Sequence, residues 1–229
     1  MNYTIIHVND RAKESMDHNK AILTEHTYVN DIEFFNGNTG NAWDVINSYG
    51  IKQDVWEPYD GRTTPPLPGE LGIWVSTINI WKYMVQNNID RLLVLEDDVL
   101  INSYFAKNLQ LCMSDLPDNF DFLSLYYFTG HNWEDENTDI GSNYIHKSTN
   151  QYSAAQATVY SLNGARKLLK AVTKKGIEYT CDCFIFRQSL LGVVNGYSLR
   201  PDKISMLLHQ FDTVTSLIDP DNLRKTDNL

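Results

Sequence analysis

Short apolar runs alternate along this chain with stretches in which apolar residues recur at helical spacing. The runs have the length and the β-branched content of strands, and they lie at residues 3–8, 92–101, 120–128, 154–162 and 193–200. In residues 71–85, apolar side chains instead recur every three or four positions, which predicts an amphipathic helix. Strands that alternate with helices predict an α/β fold with a mostly parallel central sheet flanked by helices.

Further helices are expected between the later strands. They are predicted at residues 103–113, after Asn163 as the capping residue, and at residues 183–191. Trp74 and Trp81 lie on the apolar stripe of the first predicted helix, and we interpret them as core side chains. Residues 129–152 are polar and locally acidic, which predicts a long insertion without regular structure.

Composition and charge narrow the class of protein. The 229 residues are 42% hydrophobic and 21% charged, and we expect one domain over residues 1–229. A net charge of -10, without a cluster of Lys or Arg, argues against binding to nucleic acid phosphates. No apolar stretch is long enough to span a bilayer, and the first residues run into a strand pattern, which predicts a cytoplasmic protein. The few cysteines indicate reduced thiols rather than disulfides or a zinc site.

Three adjacent carboxylates, Glu96, Asp97 and Asp98, interrupt the apolar run at 92–101. Charge in a strand buried on both faces is costly, so we expect the trio at the carboxyl end of the strand, where open α/β sheets bind ligands. In an extended backbone, Glu96 and Asp98 would share one face. Magnesium or manganese is typically held by one or two carboxylates together with substrate phosphates. The motif therefore predicts a metal that bridges the protein and a diphosphate, with a solvated structural turn as the alternative.

Five segments of the chain, in order, are similar to motifs of one enzyme family. They are Asn9-Asp10-Arg11, residues 67–72 with Ser76 and Trp81, residues 95–99, Leu116-Pro117 with residues 120–123, and residues 157–169. Together they span most of the chain, which resembles the family-25 glycosyltransferases, the lipopolysaccharide-type galactosyltransferase family. The resemblance implies a single GT-A domain that uses a nucleotide-sugar donor with a divalent metal. Thr77 departs from the pattern, because the family usually has His there, and this puts the role of that position in doubt.

The resemblance also implies roles at the donor end of the pocket. Glu96 or Asp97 would contact the ribose or a metal-bound water. Asn9 and Arg11, which follow the first predicted strand, are candidates for the nucleotide. The guanidinium fork of Arg11 suits a phosphate, although a surface ion pair fits that residue equally well.

Metal and catalytic roles follow from the same resemblance. Asp98 is the expected direct metal contact, and His209 is the candidate that closes the metal shell late in the chain, with a structural histidine as the alternative. The family is generally inverting, which implies a carboxylate that takes the proton of the attacking acceptor hydroxyl. Asp182 is the candidate for that base, and its position before an apolar helix suits a helix cap or first-turn charge equally.

The leading prediction is therefore a glycosyltransferase dependent on manganese or magnesium that moves a hexose, galactose by resemblance, from a UDP-sugar to a glycan acceptor. The resemblance places such an enzyme in lipopolysaccharide biosynthesis. We expect neither a nucleic acid partner nor a transmembrane segment. Peripheral association with a membrane stays open. The alternative is a non-catalytic module that binds a nucleotide-sugar or glycan. The polar insertion suits either an acceptor-side loop or an ordinary surface segment; the aromatic side chains at issue are His131, Trp133 and Tyr144.

Overall fold

The protein is described by a computed structural model over residues 2–7, 13–24, 30–31, 35–36, 42–52, 68–97, 99–126, 140–148, 156–200 and 203–208. The helices in these ranges are α1 (Lys13–Thr24), α2 (Ala42–Ser48), α3 (Pro68–Gln86), α4 (Phe105–Asp115), α5 (Leu162–Lys175) and α6 (Cys181–Leu190). The strands are β1 (Asn2–His7), β2 (Asn30–Asp31), β3 (Phe35–Asn36), β4 (Arg91–Glu96), β5 (Leu100–Ile101), β6 (Phe122–Ser124), β7 (Ile145–Lys147), β8 (Ala157–Ser161), β9 (Gly196–Leu199) and β10 (Leu207–Leu208). Strands and helices alternate, so the predicted α/β class is confirmed.

Most strands of the main sheet run in one direction. Among the described residues the sheet is 8-stranded, with the order β2-β1-β4-β8-β6-β9-β7 and β3 also paired with β1. The strands β2, β3 and β4 are parallel to β1, and β9 is parallel to β6. By contrast, β8 lies antiparallel between β4 and β6, and β7 lies antiparallel to β9. A separate two-stranded sheet pairs β10 with β5.

The main sheet separates two hydrophobic cores. Leu92 and Val94 of β4 point to the face that packs against α2, α3, α5 and α6. Leu93 and Leu95 point to the opposite face, which packs against α1 and α4. Side chains alternate between the faces of a strand, and both faces of β4 are covered. This explains why β4 is a continuous apolar run rather than an alternating one.

The predicted amphipathic helix is α3, and its apolar stripe is confirmed as core. The helix begins at Pro68, a residue suited to the first helical position because it has no N–H to leave unsatisfied. Trp74 and Trp81 are both 0% exposed. The Trp74 Nε1–H donates to the carbonyl oxygen of Tyr179 at 2.8 Å, which ties α3 to the segment that leads into α6.

Two local predictions were wrong. The polar stretch 129–152 contains strand β7, whose short length hides it among polar residues. Helix α5 is capped by Ser161, whose hydroxyl accepts from the Gly164 N–H at 3.0 Å, and not by Asn163. The Asn163 amide instead donates to the carboxylate of buried Asp121 at 3.0 Å, because the chain before β6 passes beside the start of α5.

Other predictions concern the chain as a whole. All three cysteines lie in the described residues and are free thiols, as expected. Within the described ranges, no helix combines the length and the apolar character needed to cross a membrane. The prediction of one domain over residues 1–229 reaches beyond those ranges and stays a prediction.

Candidate functional site

The acidic motif lies at the carboxyl end of β4. Glu96 is the last residue of the strand, and Asp97 begins a turn; both side chains are half-buried. The Val99 N–H donates to the Glu96 carbonyl oxygen at 3.3 Å, so the backbone stops being extended after Glu96. The prediction that Glu96 and Asp98 share one face assumed an extended backbone, and the backbone is not extended after Glu96. Asp98 itself lies outside the described residues.

Asn19 of α1 holds the segment that follows the motif. Its side chain is 0% exposed, and its amide Nδ2 donates to the Val99 carbonyl oxygen at 2.7 Å. Its Oδ1 accepts from the Ile101 N–H at 3.0 Å. One side chain thus satisfies two backbone groups on either side of residue 100, as a neighbouring strand would. Nothing in the local sequence around Asn19 distinguished it from an ordinary helix residue.

The second half of the site is the start of α6. Asp182 lies in the first helical turn, and its Oδ1 accepts from the Cys183 N–H at 2.8 Å. The position therefore matches the predicted first-turn charge, while Thr180 stands at the helix cap. Burial raises the pKa of the Asp182 carboxyl above its ordinary value, against hydrogen bonds from Thr180 and Cys183 that favour the charged form.

Glu96 and Asp182 act electrostatically on the same two side chains although they are far apart in sequence. Burial raises the pKa of the Tyr160 phenol and of the Cys181 thiol well above their ordinary values. The charges of both Glu96 and Asp182 raise these two pKa values further, so the two carboxylates lie within electrostatic range of the same two groups. Thr77 of α3 hydrogen-bonds the Cys181 side chain, which places the departure from the family pattern beside Asp182.

Aromatic packing fixes α6 in this position. The ring of Phe184 meets Trp74 edge-on, with centroids 5.1 Å apart, and Phe186 meets Phe122 of β6 in the same manner at 5.2 Å. The Tyr160 ring of β8 packs edge-on against Trp81 of α3 at 5.9 Å. Edge-to-face pairs of this kind favour defined orientations. Helix α6 is therefore held against α3 and β6, and α3 in turn against β8.

The donor set of the described residues fits a hard divalent cation in its chemistry. Glu96 and Asp97 supply carboxylate oxygens, the ligand type that magnesium and manganese prefer. Within the described ranges, no group of three or more His, Cys, Asp and Glu side chains could hold a metal by itself. The other candidates assigned from the sequence lie outside those ranges: Asn9, Arg11, Asp98 and His209.

Of the polar insertion, only part is described. His131 and Trp133 lie outside the described residues, whereas Tyr144 is half-buried and packs against the core on the α1 and α4 side of the sheet. The Tyr144 carbonyl oxygen accepts from the Arg200 N–H at 2.8 Å, beside the β7–β9 pair. The role of the segment as an acceptor-side loop stays a prediction.

Comparison with known proteins points to one family. A family model described as "Glycosyltransferase family 25 (LPS biosynthesis protein)" matches residues 10–221. Procollagen galactosyltransferase 1 of Danio rerio is 33% identical over 130 residues, which are 55% of this chain and 21% of that protein. A Rattus norvegicus protein named "Probable inactive glycosyltransferase 25 family member 3" is 38% identical over 60 residues, 26% of this chain and 10% of that protein. The chain thus spans less than a quarter of either relative's length.

Two solved structures are also similar to this chain. An active-site mutant of LgtC matches over 86% of this chain and 72% of that one, with a sequence identity of 12% and a TM-score of 0.42. Mouse xyloside xylosyltransferase 1 in its apo form matches over 83% of this chain and 68% of that one, with a sequence identity of 13% and a TM-score of 0.37.

Proposed function

The chain belongs to glycosyltransferase family 25, and from this premise we propose that it transfers a hexose from a UDP-sugar to a glycan acceptor with inversion, in a reaction that depends on manganese or magnesium. Galactose is the proposed sugar, since relatives of the chain are named galactosyltransferases. The proposal includes the GT-A architecture that the family resemblance implies. It also includes an acceptor of the lipopolysaccharide type and a cytoplasmic location.

One observation carries this proposal: the charges of Glu96 and Asp182 act on the same two side chains, Tyr160 and Cys181. A transfer reaction needs a site for the donor diphosphate and, next to it, a base for the acceptor hydroxyl. Glu96 ends the central strand β4, where α/β sheets bind ligands. Asp182 lies in the first turn of α6, and its charge acts on the same Tyr160 and Cys181 side chains as that of Glu96.

The donor end would be built on the acidic motif. Glu96 and Asp97, with Asp98 and His209 as assigned from the sequence, would hold the divalent cation. When bound, such a cation acts as a Lewis acid toward the charge that develops on a diphosphate leaving group. Asn9 and Arg11 would bind the nucleotide, with the Arg11 guanidinium donating to a phosphate.

Asp182 would take the proton of the attacking hydroxyl. A general base works best when its pKa approaches the working pH, and burial moves the pKa of Asp182 in that direction. The Cys183 N–H that donates to Asp182 Oδ1, together with the hydrogen bond from Thr180, fixes the orientation of the carboxylate. The neighbouring Cys181 and Tyr160 stay neutral because burial raises the pKa of each, so they add no competing negative charge.

The first experiment is binding of UDP, measured by calorimetry with and without manganese. We expect binding that needs the metal and is lost in Asp98→Asn. Asp118→Asn is the matched control, because it removes one carboxylate at an exposed position away from the acidic motif. Absence of UDP binding to the unmodified protein under every condition would refute the nucleotide-sugar site.

The second experiment separates catalysis from binding. In Asp182→Asn we expect UDP affinity to stay the same, while turnover of UDP-galactose falls by at least about 100-fold, the lower range for loss of a general base. Equal turnover in the variant would remove Asp182 from the catalytic role.

A non-catalytic sugar-binding module is the second candidate. Thr77 favours it, because it stands where the family usually has His and contacts the Cys181 side chain beside Asp182. One relative also carries the word "inactive" in its name. Metal-dependent UDP binding without any turnover of UDP-galactose in the unmodified protein would support this candidate over the enzyme.

A further inference from the structure

Residues 163–195, which include nearly all of α5 and the whole of α6, carry a charge opposite to that of the chain. They hold six of the 19 Lys and Arg but two of the 29 Asp and Glu, in a chain whose net charge is -10. The positive charge is therefore concentrated in one segment, and the rest of the chain is more acidic than the net charge suggests. Such asymmetry indicates a surface for a negatively charged partner.

Three basic side chains lie along the outer face of α5. Arg166, Lys170 and Lys174 follow one another at a spacing of four residues, and all three are exposed. Residues four apart lie on the same face of a helix. The opposite face of α5 is buried in the core that it shares with α3. These three residues, which we call the basic stripe, therefore present their charges to solvent.

An exposed apolar turn follows α6. Leu190, Leu191 and Val193 are 40%, 55% and 38% exposed, and they are three of the five large hydrophobic side chains that are exposed in the described ranges. The Val193 N–H donates to the Gln188 carbonyl oxygen at 2.9 Å, which folds the chain back onto the end of the helix. Exposed apolar side chains that are gathered in one place commonly mark an interaction site. We call residues 190–193 the apolar turn.

Two contacts place the apolar turn beside α5. The Lys175 Nζ donates to the Gln188 Oε1 at 3.2 Å, just before the turn. After the turn, the Asn195 N–H donates at 2.7 Å to the Asp121 carboxylate, which also pairs with Lys167 of α5. The chain on both sides of the apolar turn is thus tied to α5, through lysines that adjoin the first and last residues of the basic stripe. The stripe and the turn therefore belong to one surface.

We propose that the basic stripe and the apolar turn dock the protein on the surface of an anionic lipid bilayer. Basic side chains bind anionic headgroups, and protruding apolar side chains enter the boundary between headgroups and acyl chains. A partner protein fits this surface less well, because three apolar side chains supply only a small part of the roughly 800 Å² that each partner buries in a standard interface. A nucleic acid would leave the apolar turn unused, since its phosphates need only the basic residues.

The sheet register gives the orientation of the docked protein. Gly196, which follows the apolar turn, pairs with Phe122, and Phe122 pairs with Tyr160. Tyr160 pairs with Leu92, near the amino end of β4. The apolar turn therefore lies toward the amino end of β4, whereas the acidic motif lies at the carboxyl end. Docked in this way, the acidic motif faces away from the anionic lipid and toward water.

The test is flotation of the full chain with vesicles of phosphatidylethanolamine and anionic phosphatidylglycerol, compared with vesicles of neutral phosphatidylcholine. The variant that tests the charge is Lys170→Gln combined with Lys174→Gln. Its matched control is Lys13→Gln combined with Lys107→Gln, which removes the same charge from exposed positions on α1 and α4, the helices on the opposite face of the sheet.

A second pair of variants tests the apolar turn. Leu191→Ser removes its most exposed apolar side chain. The matched control is Tyr104→Ser, because Tyr104 is 67% exposed and lies at the start of α4, away from α5 and α6. Both substitutions affect exposed side chains, so the fold should tolerate them.

We expect binding to the anionic vesicles that weakens as salt is added, because salt screens contacts between exposed charges. Each basic residue near an anionic surface changes the partition coefficient by about fivefold, so Lys170→Gln with Lys174→Gln should bind about 25-fold more weakly. Leu191→Ser should bind about tenfold more weakly, as for withdrawal of one apolar side chain from the membrane. Both controls should stay within about twofold of the unmodified protein, because solution screens charges on the far face of the sheet.

No binding to anionic vesicles, or equal binding to neutral ones, would overturn the proposal. So would equal weakening in a variant and its control. Sedimentation velocity tests for a second copy of the chain as the occupant, and a dimer that is lost in Leu191→Ser would also overturn membrane docking. UDP binding measured by calorimetry on the same variants should not change. This docking surface does not depend on the transfer reaction, so the failure of either proposal is recognised separately.

Discussion

Replacement of Asn19 by leucine tests how the acidic segment is held in place. Leucine has the same number and branching of side-chain heavy atoms as asparagine and favours helix at least as well, so α1 itself should tolerate it. The change removes the donor to the Val99 carbonyl oxygen and the acceptor for the Ile101 N–H. Val99 is 5% exposed and Ile101 0% exposed, so water does not readily replace the lost partners.

The size of the effect follows from these two contacts. A buried polar group left without a partner costs about 1 to 3 kcal/mol, and the substitution leaves two such groups. The added apolar burial of leucine offsets about 1 to 2 kcal/mol. We therefore expect the free energy of unfolding to fall by about 3 kcal/mol. In a chain of this length, that corresponds to a melting temperature lower by about 6 to 12 °C.

Urea unfolding followed by circular dichroism measures the free energy, and calorimetry with UDP and manganese measures the consequence for the site. UDP affinity should fall as well, because Val99 directly follows the acidic motif. Asp17→Asn, an exposed change on the same helix, is the control and should stay within about 0.5 kcal/mol of the unmodified protein. A loss below about 1 kcal/mol for Asn19→Leu, with the slope against urea unchanged, would refute the reasoning.

Two further predictions concern the carboxylates of half-buried Asp182 and buried Asp121. Burial raises the pKa of Asp182 above its ordinary value of 3.8, so the folded state binds this proton more tightly than the unfolded state does. The contribution of Asp182 to stability is therefore largest at low pH and falls as the pH rises through the raised pKa. Asp182→Asn should therefore unfold at pH 7 at the same or a higher urea concentration than the unmodified protein; a clearly lower midpoint would contradict this. Asp121→Ala should lower the free energy of unfolding by about 3 kcal/mol in the same assay, since buried Asp121 accepts from Lys167, Asn163 and the Asn195 N–H. A loss no larger than that of exposed Asp118→Ala would show that the network contributes little.

Local patterns were enough to predict the main elements around the site. The apolar run that becomes β4 and the stripe that becomes α3 both follow burial. A strand covered on both faces is continuously apolar, and a helix covered on one face has an apolar period of 3.6 residues. The acidic end of β4 was equally visible, because charge is excluded from a strand covered on both faces. The first-turn position of Asp182 followed from the apolar helix after it.

Partners in space could not be read from those patterns. Asn163 is a residue type that often caps helices, but its side-chain amide donates to the Asp121 carboxylate, and Ser161 caps α5 instead. Strand β7 has too few residues to show a period, and its pairing with β9 identifies it only in the folded chain. In the sequence, Asn19 cannot be distinguished from other polar helix residues. Its role follows only from the packing of α1 beside β5, where its side chain accepts from the Ile101 N–H.

The sequence by itself determined the α/β class, the two helices that flank the acidic strand in the chain, and the family to which the chain belongs. The tertiary structure decided that the charges of Asp182 and Glu96 act on the same two side chains, and that the Gln156 backbone pairs with the end of the acidic strand. The physical reason is that periodicity records only whether a side chain is buried. The partner of a buried side chain depends on strand order and register, which are set by packing and backbone hydrogen bonds between segments distant in the chain.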